Sequence, residues 1–357
     1  MPAPASLDSA RSVLVERFGH TRFRVHQLKV LGPLLAGRDV LAVLPTGAGK
    51  SLCYQIPALL AAARGGGLTV VVSPLISLMQ DQVGALRRRG IAAAYLNSQL
   101  DPAQRRTVLA AARSGALTLL YCAPERLAAV TRRLRAAGTP VALLAIDEAH
   151  CITEWGNAFR PVYRRLGVFR SLLGRPQVVA LTGSATPAAR ADILTVLRMA
   201  QAEIVVTSFD RGNLRFGVRR VAHDRERFAV IRALVRAGDG STLVYTPTRR
   251  IAELVTRVLL RTSVRAAPYH AGLSAGTRRR VLRAFLEDRV GTIVATSAFG
   301  MGIDKANVAV TAGAAMARRR CATKCVKKKP PTRCVFTSRW RRSGTRTRTG
   351  RSVPGAL

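Results

Sequence analysis

Acidic and aromatic residues are scarce in this chain of 357 residues: 19 Asp and Glu stand against 58 Lys and Arg, and aromatics make up 5%. The formal charge of +39 excludes a self-compensated surface and points to a polyanionic partner, nucleic acid before membrane. Six cysteines are too few and too scattered for a disulfide framework. Cys53, Cys122 and Cys151 fall in or beside expected core elements, as reduced small hydrophobes. Cys321, Cys325 and Cys334 have no fourth ligand or nearby His, so no zinc is expected. No run approaches the ~18 apolar residues of a membrane span. The N-terminus carries Asp8 and Glu16 with no apolar stretch of the kind that directs secretion. The expectation is a cytoplasmic protein without a membrane partner.

Hydrophobic residues nevertheless make up 48%, enough for real cores, and the length suits two domains. Short apolar runs at 39–44, 68–73, 117–122, 141–146 and 178–181 predict strands buried on both faces. Helical patterns at 51–63, 77–88, 102–114 and 124–137 lie between them. Such alternation predicts an α/β fold, a parallel sheet covered by helices, with ligands beyond the carboxyl ends of its strands. The pattern restarts near 207–213. Strands are then expected at 242–245, 266–269, 292–295 and 307–310, with helices at 249–260 and 274–288. Residues 311–357 hold fourteen of the Lys and Arg and no acid, which leaves +25 on the remainder. Their composition lacks the apolar spacing that covers a sheet, so no regular structure is expected there.

Two motifs carry the chemistry. Leu44-Pro45-Thr46-Gly47-Ala48-Gly49-Lys50-Ser51 follows the first strand, and Asp147-Glu148-Ala149-His150 follows the fourth. Glycines at 47 and 49 let backbone N–H groups, including that of Ala48, wrap phosphates. Lys50 would reach the β and γ groups, while Thr46 and Ser51 complete the loop and the Ser51 hydroxyl suits Mg²⁺. Asp147 would hold the metal, and Glu148 would orient or deprotonate an attacking water. The pair reads as a nucleoside triphosphatase using ATP and Mg²⁺. Leu44 stands where the general pattern has its first glycine, which moves the match from small GTPases toward nucleic-acid motors.

Further segments extend this reading from 16 to 310. In order they are Phe18-Gly19, Phe23-Arg24 and Gln27; Ser73-Pro74-Leu75-Ile76-Ser77-Leu78; Ala123-Pro124-Glu125-Arg126; Trp155-Gly156; Phe159-Arg160-Pro161; and Ser184-Ala185-Thr186. Then come Ser208-Phe209-Asp210-Arg211, Tyr269-His270-Ala271-Gly272-Leu273 and Ala298-Phe299-Gly300-Met301-Gly302-Ile303-Asp304-Lys305. This ordered set resembles the RecQ family of superfamily 2 DNA helicases. The resemblance implies two RecA-like lobes, at 1–206 and 207–310, followed by a basic tail at 311–357. It also implies ATP-dependent 3′-to-5′ unwinding with DNA as the partner.

By the same resemblance Gln27 reads adenine, with Arg24 and Phe18 helping to hold the base. His150 links the nucleotide site to a DNA-responsive loop. Trp155, Phe159 and Arg160 form that loop, where exposed rings stack bases or else pack beneath it. Ser73 and Arg126 in the first lobe and His270 in the second lie on the nucleic-acid face, or serve as turn and cap residues. Ser184, Thr186 and Asp304 take coupling roles, the two hydroxyls bridging toward His150 or capping a strand end.

The resemblance ends after Val310. No Gln-x-x-Gly-Arg-x-Gly-Arg string occurs in 311–357, although in the family it supplies arginines to the bound ATP. Ala306 also replaces a usual proline. The expectation is a second lobe left incomplete, by truncation or a shifted reading frame. Mg-ATP and DNA would be bound, with slow hydrolysis and poor unwinding. The competing reading is a non-catalytic, basic nucleic-acid-binding protein with a vestigial ATP site.

Overall fold

A computed structural model describes residues 6–45, 47–154, 161–208, 214–221, 223–296, 299, 305, 307–315 and 333–340. The chain divides into two compact units, Met1–Phe209 and Asp210–Leu357.

The first unit is built on seven strands: β1 (Val40–Val43), β2 (Leu68–Val72), β3 (Ala93–Leu96), β4 (Leu119–Cys122), β5 (Val141–Ile146), β6 (Gln177–Thr182) and β7 (Glu203–Val206). They lie in the order β3-β4-β2-β5-β6-β1-β7, all parallel. Successive side chains of a strand point to opposite faces, and here both faces are dry. Val40, Ala42, Leu143, Ala145, Val179 and Leu181 pack into one apolar cluster, while Leu41, Leu144, Ile146, Val178 and Ala180 pack into another.

Helices α1 (Leu7–Phe18), α2 (Val25–Leu35), α3 (Leu52–Ala63) and α4 (Ile76–Arg88) come first in the chain, and the cluster on their side takes in Val30, Leu34, Tyr54 and Met79. The opposite cluster is closed by α5 (Pro102–Arg113), α6 (Leu127–Ala136), α7 (Cys151–Glu154), α8 (Leu166–Leu172) and α9 (Pro187–Leu197) through Ala112, Leu134, Ile152, Phe169 and Ile193. Because every strand runs the same way, the segments after β1, β2, β4, β5 and β6 emerge at one end of the sheet. That end carries both chemical motifs.

The second unit has β8 (Leu214–Val221), β9 (Ser241–Tyr245), β10 (Ala266–Tyr269), β11 (Thr292–Ala295), β12 (Val308–Ala315) and β13 (Arg333–Trp340), with α10 (Asp224–Arg236), α11 (Arg249–Leu260) and α12 (Ala275–Leu286). Its order is β10-β11-β9-β12-β13-β8. The first four strands are parallel, and β13 runs antiparallel to both its neighbours. Here the structure departs from the expectation for residues after Val310. β12 continues to Ala315, and Arg333–Trp340 forms β13. That stretch, Arg-Cys-Val-Phe-Thr-Ser-Arg-Trp, is rich in β-branched and aromatic residues, a local preference that the dense flanking positive charge conceals.

Candidate active site

The phosphate-loop sequence turns from β1 into α3, with Ser51 at the helix N-cap. Gly47 has φ +81° and Gly49 φ +75°, a left-handed backbone that costs an L side chain ~1–2 kcal/mol. No described residue accepts from the backbone N–H of Gly49, Lys50 or Ser51. Such a cradle of donors at a helix N-terminus fits phosphate. Among the described residues Lys50 Nζ makes only long contacts, 3.4 and 3.5 Å, to the carbonyls of Leu44 and Pro45. Thr46 lies outside the described residues.

The start of α2 braces this loop. Arg24 Nη1 donates to Gly47 O, and His26 Nε2 lies 2.7 Å from Ala48 O. Gln27, 3% exposed, donates from Nε2 to Ala48 O and Gly49 O at 3.3 and 3.2 Å. Its Oε1 accepts from Arg24 N at 2.9 Å. The amide expected to read adenine therefore grips the loop backbone. His26 was not marked by the sequence, where it is simply the neighbour of Gln27.

The acidic pair follows β5. Asp147 is buried; desolvation, then the charge of Glu148, push its carboxyl up to about 7 against the lowering influence of Lys50. Glu148 sits at φ +51°, strain of the kind that concentrates at functional sites. Burial raises its pKa, but the His150 hydrogen bond and the positive charges of His150 and Lys50 outweigh this and hold it low. His150 Nδ1 is 3.2 Å from Glu148 Oε2 and 3.0 Å from Thr182 Oγ1.

The Thr182 hydroxyl donates to Ser184 O, so it accepts from His150, which places a proton on Nδ1. Contacts with Cys151 Sγ at 4.0 Å and with Glu148 raise His150 to about 10. The nearer, charged carboxylate is the stronger of the two partners. Thr182, the buried last residue of β6, went unmarked in sequence because Ser184 and Thr186 drew attention to the loop beyond it. Thr186 is the N-cap of α9, accepting from Ala189 N at 3.2 Å.

Two residues expected on the nucleic-acid face, or else as turn and cap residues, are buried. Ser73 is 1% exposed, with its hydroxyl inside the sheet end, and His270 is 3% exposed, with Nε2 3.3 Å from Glu253 Oε1. Each directly follows the last residue of a strand, β2 and β10, and apart from that ion-pair contact neither side chain has a hydrogen-bond partner among the described residues. Arg126 is half-buried. It lines a groove of about 540 Å³ between α5 and α6, together with Arg105, Arg106, Arg113 and Arg133. Trp155, Phe159, Arg160 and Asp304 lie outside the described residues.

Comparison with known proteins agrees with this geometry. A family description of DEAD/DEAH box helicases matches residues 24–193, and one of the helicase conserved C-terminal domain matches 226–315. The ATP-dependent DNA helicase RecQ of Bacillus subtilis is 42% identical over 304 residues, 85% of this chain and 50% of that protein. The chain belongs to the RecQ family of superfamily 2 helicases. The Pasteurella multocida RecQ is also 42% identical, over 84% of this chain and 46% of its own length. The chain thus spans about half the length of these curated relatives. Among solved structures, the DUF1998 helicase MrfA bound to DNA shares the fold, with TM-score 0.66 at 18% identity over 85% of this chain and 46% of that one. The Mycobacterium smegmatis helicase Lhr bound to ssDNA and AMP-PNP has TM-score 0.63 at 22% identity, over 84% of this chain and 42% of its own. Both units are RecA-like α/β lobes.

Proposed function

We propose that this chain is an ATP-dependent, DNA-directed motor of the RecQ type, binding Mg-ATP in its first lobe. The observation that carries the reading is the phosphate cradle at the end of β1 with a buried aspartate, Asp147, following β5 at the same end of the parallel sheet. Ser51 and Asp147 would hold the magnesium ion. When bound, the metal neutralises phosphate charge. Lys50 and the N–H groups of 49–51 bind the phosphates, with Gln27 and Arg24 fixing the loop beside the base. Glu148, kept ionised by His150, takes up the proton of the attacking water. His150 in turn is held by Thr182.

On the nucleic-acid side, Arg126 and the arginine-lined groove bind sugar-phosphate, and Trp155, Phe159 and Arg160 stack and pair with single-stranded DNA. Asp304 and Ser184 take part in coupling. Arginine fingers are worth ~10³–10⁵ in phosphoryl-transfer rate, and 311–357 contain no Gln-x-x-Gly-Arg-x-Gly-Arg, so this polypeptide hydrolyses slowly.

The test is binding of a fluorescent ATP analogue with Mg²⁺, alongside DNA-stimulated ATPase, for the chain and for Lys50→Ala. Nucleotide uptake lost in Lys50→Ala, with slow DNA-stimulated turnover in the parent, supports the reading. DNA binding that ignores nucleotide and is identical in both proteins refutes it and leaves a basic nucleic-acid-binding protein.

A further inference from the structure

A run of buried polar groups leaves the phosphate loop sideways, through space that packing alone would fill with apolar atoms. Tyr54 of α3 and Tyr121 of β4 are each 1% exposed, and Gln55 is 4% exposed. Both tyrosines sit in the cluster of Val71, Met79, Val83 and Leu119, with their rings edge to face at 6.3 Å. Gln55 Nε2 donates to the Tyr121 hydroxyl at 3.1 Å, and Tyr121 donates to the Tyr54 hydroxyl at 3.4 Å. Tyr54 in turn donates its backbone N–H to Ser51 O at 3.2 Å, in the first turn after the phosphate loop. The same Gln55 amide donates to Gln82 Oε1 on α4 at 2.8 Å. Burial keeps both phenols protonated; Tyr121 is pushed up to about 12.

We infer that Gln82, Gln55, Tyr121 and Tyr54 form a positioning chain that couples Ser51, the proposed magnesium ligand on the phosphate loop, to nucleic acid bound at the same end of the sheet. The inference rests on the reading of the nucleotide site given above. Three features carry it. Gln55 donates to Tyr121 and Tyr121 to Tyr54, whose N–H bonds Ser51 O, and consecutive hydrogen bonds polarise one another. The far contact, Gln82, stands on α4, while Tyr121 lies three residues before the Pro124–Arg126 turn, so the strand that leads to Arg126 on the proposed nucleic-acid surface is tied in. Finally, Phe at 54 and 121 with Leu at 55 would fill this core without any polar group to satisfy, and burying polar groups is unfavourable unless each finds its partner. A displacement of β4 therefore reaches Tyr54, and through it Ser51, as a change in hydrogen bonding.

The test uses the full chain and two variants. Tyr121→Phe keeps the ring and its edge contact, and Gln82→Ala alters only the half-buried far end. Affinity for a fluorescent Mg-ATP analogue is measured with and without an oligo-dT strand, and affinity for the strand with and without nucleotide. The two ratios must agree by linkage. The parent should show a mutual tightening in the ordinary range of coupling, ~5–150-fold. Each variant should keep both single affinities within about twofold while the coupling drops below about twofold. Coupling retained in both variants, with only melting temperature lowered, overturns the inference and makes the chain a packing feature. A parent that binds both ligands independently overturns it as well. A parent that takes up no magnesium nucleotide refutes the nucleotide site itself, a result that separates the two claims.

Discussion

Replacing Gly49 with alanine tests the bracing of the phosphate loop by α2. An alanine Cβ there would stand 2.5 Å from Gln27 Nε2, on a backbone with φ +75°. The left-handed conformation alone costs ~1–2 kcal/mol for an L residue. The Gln27 amide must also move, giving up its bonds to Ala48 O and Gly49 O while it remains buried. Buried polar groups left unpaired cost a further ~1–3 kcal/mol. Gly49→Ala should therefore destabilise the first lobe by ~2–5 kcal/mol, a fall in melting temperature of ~4–20 °C for a unit of this size.

Gln27→Ala decides which part is which. By itself it costs ~0.5–1.5 kcal/mol, the net worth of a hydrogen bond, because Ala48 O keeps His26 and Gly49 O keeps the Leu52 N–H. Combined with Gly49→Ala, the steric conflict is gone and only the backbone part remains, so the double variant should be less destabilised than the sum by ~1–3 kcal/mol. Chemical denaturation of the four proteins gives the cycle. Strict additivity, within ~0.5 kcal/mol, would show that the amide does not support the loop.

Other outcomes follow from the same geometry. Asp147 is pushed up to about 7, and a carboxylate must shed its proton to hold a metal. Magnesium dependence of nucleotide binding should therefore weaken by up to ~10-fold per pH unit below that value and level off above it, measured by Mg²⁺ titration at pH 6, 7 and 8; a flat profile contradicts the reading. Thr182→Val removes the acceptor for His150 Nδ1, a hydrogen bond worth ~1–1.5 kcal/mol, so single-turnover hydrolysis should slow ~10-fold with nucleotide affinity unchanged. Arg126→Ala should lower the salt dependence of single-strand binding by ~0.7 in log–log slope, the share of one phosphate contact; an unchanged slope would remove Arg126 from the nucleic-acid face.

The alternation of buried runs with helical stretches was legible because strands covered on both faces need continuous apolar sequence. β2, β5, β10, β11 and α11 fall where the pattern places them, within a residue. The elements that escaped it are those whose burial is one-sided or partial. α1 and α2 hide only Ala10 and Leu14, and Gln27, Val30, Leu31 and Leu34, and β7 lies at the sheet edge, where only Val205 is buried. β3 is also an edge strand, and its Ala-Ala-Tyr-Leu is too short to stand out from its surroundings.

The site divides along a similar line. Residues whose chemistry is local, such as the glycines of the loop, Lys50 and the acidic pair, announce themselves by type and spacing. Gln27, singled out only by the family resemblance, and Thr182, not singled out at all, do not, because each acts on a segment far away in sequence. Gln27 holds a loop more than twenty residues downstream, and Thr182 meets a histidine 32 residues upstream. Ser73 and His270, for which sequence left a contact role and a turn role open, show the converse. A polar residue at a strand's carboxyl end lies one peptide away from either exposure or burial, and the next turn decides which. Their burial moves the proposed contact surface outward, onto Arg126 and the arginine-lined groove, where positive charge lies open to a polyanion. That shift is why the salt slope of Arg126→Ala, rather than any substitution of Ser73 or His270, discriminates between a surface that binds backbone phosphate and one that does not.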